Sequence, residues 1–448
     1  MNNTVRETIL NLLLRIEDES GFSHLVIDHE IKSNQLSDRD AGFLTEIVYG
    51  TLQRKITLDY YLEPYINPDK SVKPWIKTLL RMSVYQMAFL DKVPDHAIIN
   101  EAVEIAKKRG HKGIASLVNG VLRNIQRNGY RDTSDISLPG KRISIETSHP
   151  EWLVDRWIEM YGVEITELMC QSNLERKGTS IRVQPLKMSR DEAIKMLKEL
   201  DYDVHKSLFS EQGIVVNKGN ILRTELFTNG YITIQDQSSM LVAEMLKLES
   251  GMMVLDSCSA PGGKVTHIAE KMGNKGKVHA YDLHAKKAKK INDKTSKLDL
   301  TIVEAKHADA RKLTEFHEEK TFDRILVDAP CSGLGVIRGK PEIKYSKQES
   351  DIHNLAKIQY DILSGVASLV KVNGLMMYTT CTVDKEENNQ VIASFLDDNP
   401  DFEVDHTFFE ELPVFLSEYA GLSKEGLQLF PHTHQTDGFF LTRLIRKA

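Results

Sequence analysis

The sequence predicts an α/β protein: a doubly wound, Rossmann-like sheet in the C-terminal part, preceded by a small α+β module and an all-α domain. Apolar residues recur at helical spacing through the first 130 residues, and a mixed stretch follows. From about residue 235, apolar strands alternate with helical segments. At 448 residues the chain is also too long for one ordinary core.

The helical domain is taken as 1–130. Ile9, Leu12, Leu13 and Ile16 form one stripe, and Leu44, Ile47, Val48 and Leu52 a second. Ile98, Ala102, Ile105 and Ala106 form a third, and Val118, Val121, Leu122 and Ile125 a fourth. Ser37-Asp38 and Pro94-Asp95 are expected helix starts, with Gly110 and Gly113 breaking the chain between the last two helices. The polar stretch 128–135 reads as a linker. In the module 145–234, His149-Pro150-Glu151-Trp152 opens a short helix running to Gly162, and 180–183 reads as a strand. Ser189 caps a helix ending near Leu200, and 213–216 and 231–234 are strand-like. In the domain 235–448, strands are expected at 252–257, 277–283, 301–305, 322–328 and 375–380, with helices such as 285–298 and 351–370 between them. That alternation implies a mostly parallel sheet covered on both faces.

Hydrophobic and charged contents of 41% and 27% are those of a globular protein, and no run of eighteen apolar residues is long enough to span a membrane. The polar start, Met1-Asn2-Asn3-Thr4-Val5-Arg6-Glu7, lacks the apolar run of a signal peptide, so a cytoplasmic protein is expected. Cys170, Cys258, Cys331 and Cys381 are scattered, with no C-x-x-C and no His at ligand spacing. Neither a metal site nor a structural disulfide is expected. A net charge of -6 argues against coating nucleic acid through bulk charge and leaves room for a local basic groove. Lysines cluster at Lys286, Lys287, Lys289, Lys290, Lys294 and Lys297, and at Lys107-Lys108-Arg109; such runs are more often solvated helix faces than RNA contacts. With no coiled coil or exposed apolar stripe, a monomer is expected.

After the strand 252–256 comes a loop of small residues, Ser257, Cys258, Ser259, Ala260, Pro261, Gly262, Gly263 and then Lys264, leading into a helix. In doubly wound sheets ligands sit at carboxyl strand ends, where small residues let the backbone approach. Asp282 ends the next strand and can accept ribose hydroxyls; Asp309 follows the third and could meet an adenine amino group. Walker A is excluded because Gly263-Lys264 is followed by Val265, and no G-x-G-x-x-G occurs. A ribose carboxylate without a pyrophosphate cradle fits S-adenosylmethionine (SAM) better than NAD.

The fourth strand ends in Asp328-Ala329-Pro330-Cys331 and the fifth in Thr379-Thr380-Cys381, placing both thiols at carboxyl strand ends beside that cleft. Thiols there have a chemical use. Carbon 5 of cytosine is a poor nucleophile until a thiolate adds to carbon 6 and makes the ring an enamine. Asp328 is placed to act as the acid near ring nitrogen 3. A free thiol has a pKa of about 8.5, so the attacking sulfur needs a nearby positive charge such as Lys264 or the sulfonium. A duplex hides carbon 6, so the target must be single-stranded or flipped out.

These residues resemble the RNA 5-methylcytosine methyltransferases of the Nop2/Sun type. SCSAPGGK, DAPCSGLG and TTCT look like the family's first, fourth and sixth motifs, and Gln235-Asp236-Gln237-Ser238-Ser239 and Thr436-Asp437-Gly438-Phe439-Phe440 also match. The resemblance covers roughly 145–448. It implies a SAM-dependent methyltransferase sheet in which Cys381 attacks and Cys331 assists product release. It also implies a SAM site lined by Cys258, Ser259, Ala260, Pro261, Gly262, Gly263, Lys264, Asp282, Asp309 and Asp328. DNA cytosine methyltransferases attack with the Pro-Cys cysteine, an analogy that would reverse the two roles. The N-terminal domain is similar to NusB, an RNA-binding protein, and that combination implies a cytosine of 16S ribosomal RNA as the target. Gly339 and Tyr345 depart from the family pattern at positions expected on the substrate side. His149, Trp152, Arg182, His432 and His434 are candidate substrate contacts, each equally at home in a structural role. Two other readings stay open: the same chemistry on transfer RNA, or a non-catalytic assembly or antitermination factor.

Overall fold

The computed structural model describes residues 4–19, 23–68 and 71–447; the polar start at Met1-Asn2-Asn3 lies outside them. The chain forms two compact units, one of Met1–Glu175 with Ile337–Lys347 and one of Arg176–Val336 with Gln348–Ala448.

The first unit is helical. Val5–Glu19, Asp38–Gln53, Asp95–Arg109 and Lys112–Asn128 carry the four apolar stripes, all of them buried. Ser37 caps the second by accepting from Asp40 N at 3.2 Å. The break after Arg109 falls at Gly110 and His111, and Gly113 lies inside the first turn of the following helix. No stripe marked Pro74–Phe89, and the reason is its position. Every residue from Thr78 to Gln86 is buried, so this central helix has no polar face to set a period. Its Arg81 is satisfied by Asp59 at 2.7 and 2.8 Å and by Glu17 at 3.1 Å. The helix expected to end at Gly162 continues as Glu151–Ser172, kinked there because Gly162 takes φ 80°, outside helical space. Ile337–Lys347 packs with this unit: Glu342 accepts from Ser23 N and Oγ at 3.1 and 2.9 Å, and Lys344 Nζ donates to Gln53 O at 2.7 Å.

The second unit holds two sheets. The smaller is antiparallel, ordered β2-β3-β1-β4, from β1 (Thr179–Val183), β2 (Asp203–Lys206), β3 (Gly213–Lys218) and β4 (Ile232–Ile234). Arg190–Glu199 covers it, opened by a Ser189–Glu192 capping box. The larger sheet contains β5 (Met253–Asp256), β6 (Lys277–Asp282), β7 (Val303–His307), β8 (Phe322–Asp328) and β9 (Val370–Thr380). It continues with β10 (Phe402–Val404), β11 (Leu422–Ser423), β12 (Gly426–Leu429) and β13 (Phe439–Arg446). The order is β11-β12-β13-β9-β8-β5-β6-β7, with β10 also paired to β13. β5 to β9 run parallel as expected, and the chain end adds an antiparallel edge through β13 against β9. The lysine-rich helix Ala285–Lys297 buries Ala288, Ile291 and Thr295 and leaves Lys286, Lys287, Lys289, Lys290 and Lys297 exposed, a solvated face. Among the described residues no helix is long and apolar enough to cross a membrane.

Arg182 of β1 joins the small sheet to the large one. Fully buried, it meets Glu270 at 2.7 and 2.9 Å, Gly263 O at 2.8 Å and Thr266 Oγ1 at 2.9 Å, and also bonds Gln235. An ion pair taken wholly out of water is stabilising only while both charges and their hydrogen bonds are present. Glu270→Ala should therefore cost about 3–5 kcal/mol in denaturant unfolding. The double replacement Arg182→Met with Glu270→Leu should recover more than half of that loss.

Candidate active site

Strand order reverses around β5, with β6 and β7 on one side and β8 and β9 on the other, so a crevice opens where β5 meets β8. The small-residue loop fills this switch point. Ser259 N donates to Tyr281 O of β6 at 2.7 Å and Ser257 N to Leu326 O of β8 at 3.0 Å, stitching the loop to both neighbours. Gly262 takes φ 90° just before the helix Gly263–Lys271, a left-handed turn that disfavours a side chain.

Of the predicted cofactor residues, Cys258 packs on the core beneath this loop, and burial pushes its thiol well up, so it stays protonated. Asp282 ends β6 almost buried, accepting from His284 N at 2.9 Å. Asp309 follows β7 but faces Arg311, which donates to it at 3.0 and 2.6 Å and holds its carboxyl below the usual range. Asp256, the acid that ends β5, was not among the expected cofactor residues. Its carboxylate is fully buried at the end of β5, and neither oxygen has a hydrogen-bond partner among the described residues. Burial, then the charge of Asp328, raises its carboxyl to about 7. A buried acceptor without a donor suits a nucleoside cofactor that brings hydroxyl and ammonium groups, so these residues fit SAM.

Parallel pairing of β8 with β9 sets Asp328 beside Thr379, and the two cysteine-bearing loops leave the sheet side by side. Cys331 Sγ and Cys381 Sγ lie 3.3 Å apart. Asp328 accepts from Lys264 Nζ at 2.7 Å and from Thr379 Oγ1 at 2.9 Å. Burial alone would lower Lys264, yet Asp328 and then Cys381 and Asp256 hold its ammonium above the ordinary value. The hydrogen bond to Cys381, then burial, keep the Cys331 thiol well above its usual range. Two thiolates cannot coexist at this separation, and the Lys264 ammonium lies within electrostatic reach of Cys381.

A buried network with no local signature in the sequence fixes these loops. Glu387, fully buried on the turn Glu386–Gln390, accepts from Ser332 N at 2.8 Å, from Ser332 Oγ and from Gln359 Nε2 at 2.8 Å. Gln359 also donates to Pro330 O at 2.9 Å, and Ser332 Oγ pairs with Thr382 Oγ1 at 2.9 Å. Asn388, next in the turn, donates to Thr382 O at 3.2 Å. One turn therefore holds the residues flanking both cysteines. Gly335 N donates to Cys381 O at 2.9 Å, and a Cβ at Gly335 would strike the Gly438 backbone, so that position requires glycine.

The remaining candidates divide. His149 is buried among Thr147 O, Thr147 Oγ1 and Asn173 Nδ2, and burial keeps it neutral, so its role is structural. Arg182 likewise belongs to its ion pair with Glu270. Trp152 is half-buried on its helix, and His432 stacks on Phe430 at 5.6 Å. Tyr345, expected on the substrate side, instead bonds Ser148 at 3.0 Å inside the helical unit, beneath Lys55. His434 remains accessible.

Asp256 yields a stability prediction. A carboxyl raised from about 3.9 when unfolded to about 7 when folded binds its proton more tightly in the native state. Stability is therefore highest below the unfolded pKa and falls as pH rises towards 7, by about 4 kcal/mol in all. Asp256→Asn should raise the Tm at pH 8 by several degrees, with the gain shrinking towards pH 4 in thermal scans.

Residues 243–445 match the family described as 16S rRNA methyltransferase RsmB/F, 3–127 the NusB family, and 149–222 a ferredoxin-like domain of RsmF/B-like methyltransferases. The chain is 48% identical to the probable ribosomal RNA small subunit methyltransferase B of Bacillus subtilis, over 99% of both chains. It is 32% identical to ribosomal RNA small subunit methyltransferase B of Shewanella oneidensis over 96% of each. Among solved structures, PH0851 superposes with a TM-score of 0.82 at 27% identity over all of both chains. A methyltransferase homologue from Pyrococcus horikoshii does so at 0.59 and 26%, over 69% of this chain and all of its own. With matching segments along its length and a near-full-length relative at 48% identity, the chain belongs to the 16S rRNA methyltransferase RsmB/F family and is a SAM-dependent rRNA methyltransferase.

Proposed function

We propose that this enzyme methylates carbon 5 of one cytosine in 16S ribosomal RNA, in the cytoplasm, through a covalent bond between Cys381 and carbon 6. The observation that carries this reading is the thiol pair at 3.3 Å beside the Lys264–Asp328 ion pair. Cys381, balanced by Lys264, is the thiolate that adds to carbon 6. As the sulfur–carbon bond forms, the ring electron pair moves towards nitrogen 3, which takes a proton through Asp328 from the Lys264 ammonium. Bound SAM supplies the electrophilic methyl group that carbon 5 accepts. It would be held by Cys258, Ser259, Ala260, Pro261, Gly262, Gly263, Lys264, Asp256, Asp282, Asp309 and Asp328. A base then removes the carbon 5 proton, the double bond re-forms, and the bond to Cys381 breaks. Cys331 donates its thiol hydrogen bond to the departing sulfur and restores the resting pair. The proton on nitrogen 3 returns to Lys264 through Asp328.

Two measurements test this. Cys331→Ala should accumulate an RNA–protein adduct that survives denaturing electrophoresis, and Cys381→Ala should form none; the reverse pattern would exchange the two roles. Bisulfite sequencing of ribosomal and transfer RNA from cells with and without the gene should show loss of a single 16S methylcytosine. A change confined to transfer RNA would reject the substrate.

A further inference from the structure

A cavity of about 650 Å³ lies in the second unit, apart from the reaction centre; Cys331, Cys381, Lys264 and Asp328 are not in its lining. It is nevertheless tied to that centre. Its lining includes Lys177, which pairs with Asp236 at 2.5 Å and with Asp437. Next to Asp437, Gly438 N donates to Gly335 O at 2.8 Å, and Gly335 N reaches Cys381 O at 2.9 Å. A hydrogen-bonded strip therefore connects the cavity lining to the backbone of Cys381.

The lining has a definite chemistry. It includes Arg176, Lys206, His205 and His434 and no carboxylate, while the Lys177 ammonium is already balanced by Asp236 and Asp437. An anionic ligand is favoured. Lys206 pairs with Asp191 at 2.7 Å, but both side chains are more than half exposed, and such a pair exchanges readily for a phosphate. The rim is aromatic and apolar. The ring of His434 lies 4.9 Å from Phe415, 5.7 Å from Tyr419 and 6.0 Å from Phe209, centroid to centroid. Its backbone takes φ 54° and that of Gln435 55°, an uncommon conformation for side-chain-bearing residues, which the ring cluster holds in place. Partial burial among these rings lowers its imidazole from the usual range, which favours the neutral ring. Leu208 beside it is 69% exposed. Cations for a phosphate next to a fixed flat ring and an apolar side chain are the complement of an unpaired nucleotide. A duplex keeps its base faces stacked and offers none to such a ring.

We infer that this cavity is a subsite for single-stranded RNA, holding an unpaired nucleotide of the substrate strand, near the target cytosine, with its base on His434 and its phosphate at Lys206. The inference rests on the proposed RNA substrate and adds where the strand runs. The test is steady-state methyl transfer to 16S rRNA isolated from cells lacking the gene. It is combined with fluorescence anisotropy on a labelled single-stranded 12-mer of mixed sequence and on its duplex. His434→Ala should raise the KM for RNA roughly tenfold, with kcat and the KM for SAM unchanged. His434→Trp should restore it, because stacking needs a ring and not an imidazole. Lys206→Ala should lower the salt slope of single-strand binding by about one, and neither variant should alter duplex binding. An RNA KM unchanged in both His434→Ala and Lys206→Ala, or a loss confined to kcat or SAM, would overturn the subsite. So would failure of His434→Trp to restore binding while its Tm matches the parent. If the parent methylates no RNA, the proposed function fails instead, and the 12-mer binding series still decides the subsite.

Discussion

The active centre depends on one constraint: the parallel register of β8 and β9. Setting Asp328 beside Thr379 aligns the points at which both strands leave the sheet, so that cysteines 50 positions apart come within 3.3 Å. A slip of one residue would turn every side chain on one strand to the opposite face. It would separate the thiols, and it would also remove the Thr379 hydroxyl from Asp328. The buried turn bearing Glu387 and Asn388 reinforces the same alignment, since its hydrogen bonds reach the residues after Cys331 and Cys381.

Around that register, buried charge is treated in three ways. Arg182 and Glu270 are fully paired and serve cohesion between the sheets. Lys264 and Asp328 are also paired, but beside the thiols, where the proposed reaction needs a cation and a proton donor. Asp256 is left without a donor, at a cost in stability, where the cofactor's polar groups are expected. Such a deficit is characteristic of binding sites, where unsatisfied groups await a ligand.

Much of this was legible before folding. Amphipathic helices and apolar strands announce themselves through local periodicity, which is why the four stripes and β5 to β9 were readable. Pro74–Phe89 was not, because burial on all sides erases the period. β2 buries only Val204, so it shows no alternation. β13 has no local sign of its partner: its antiparallel place against β9 comes from a long-range pairing. The run Lys385-Glu386-Glu387-Asn388-Asn389 looks like solvated surface, and only the packed structure shows Glu387 and Asn388 with no exposure.

By itself the sequence determined the chemistry available: a small-residue loop after a strand, acids at successive strand ends, and two thiols where a doubly wound sheet opens its cleft. These are local facts, carried by residue type and spacing. Tertiary structure alone decided that the thiols meet, that Lys264 pairs with Asp328, that Asp256 lacks a donor and that Asp309 faces Arg311. The reason is physical. Proton affinity and hydrogen-bond satisfaction depend on burial and on neighbours brought from distant positions, and register and packing set both.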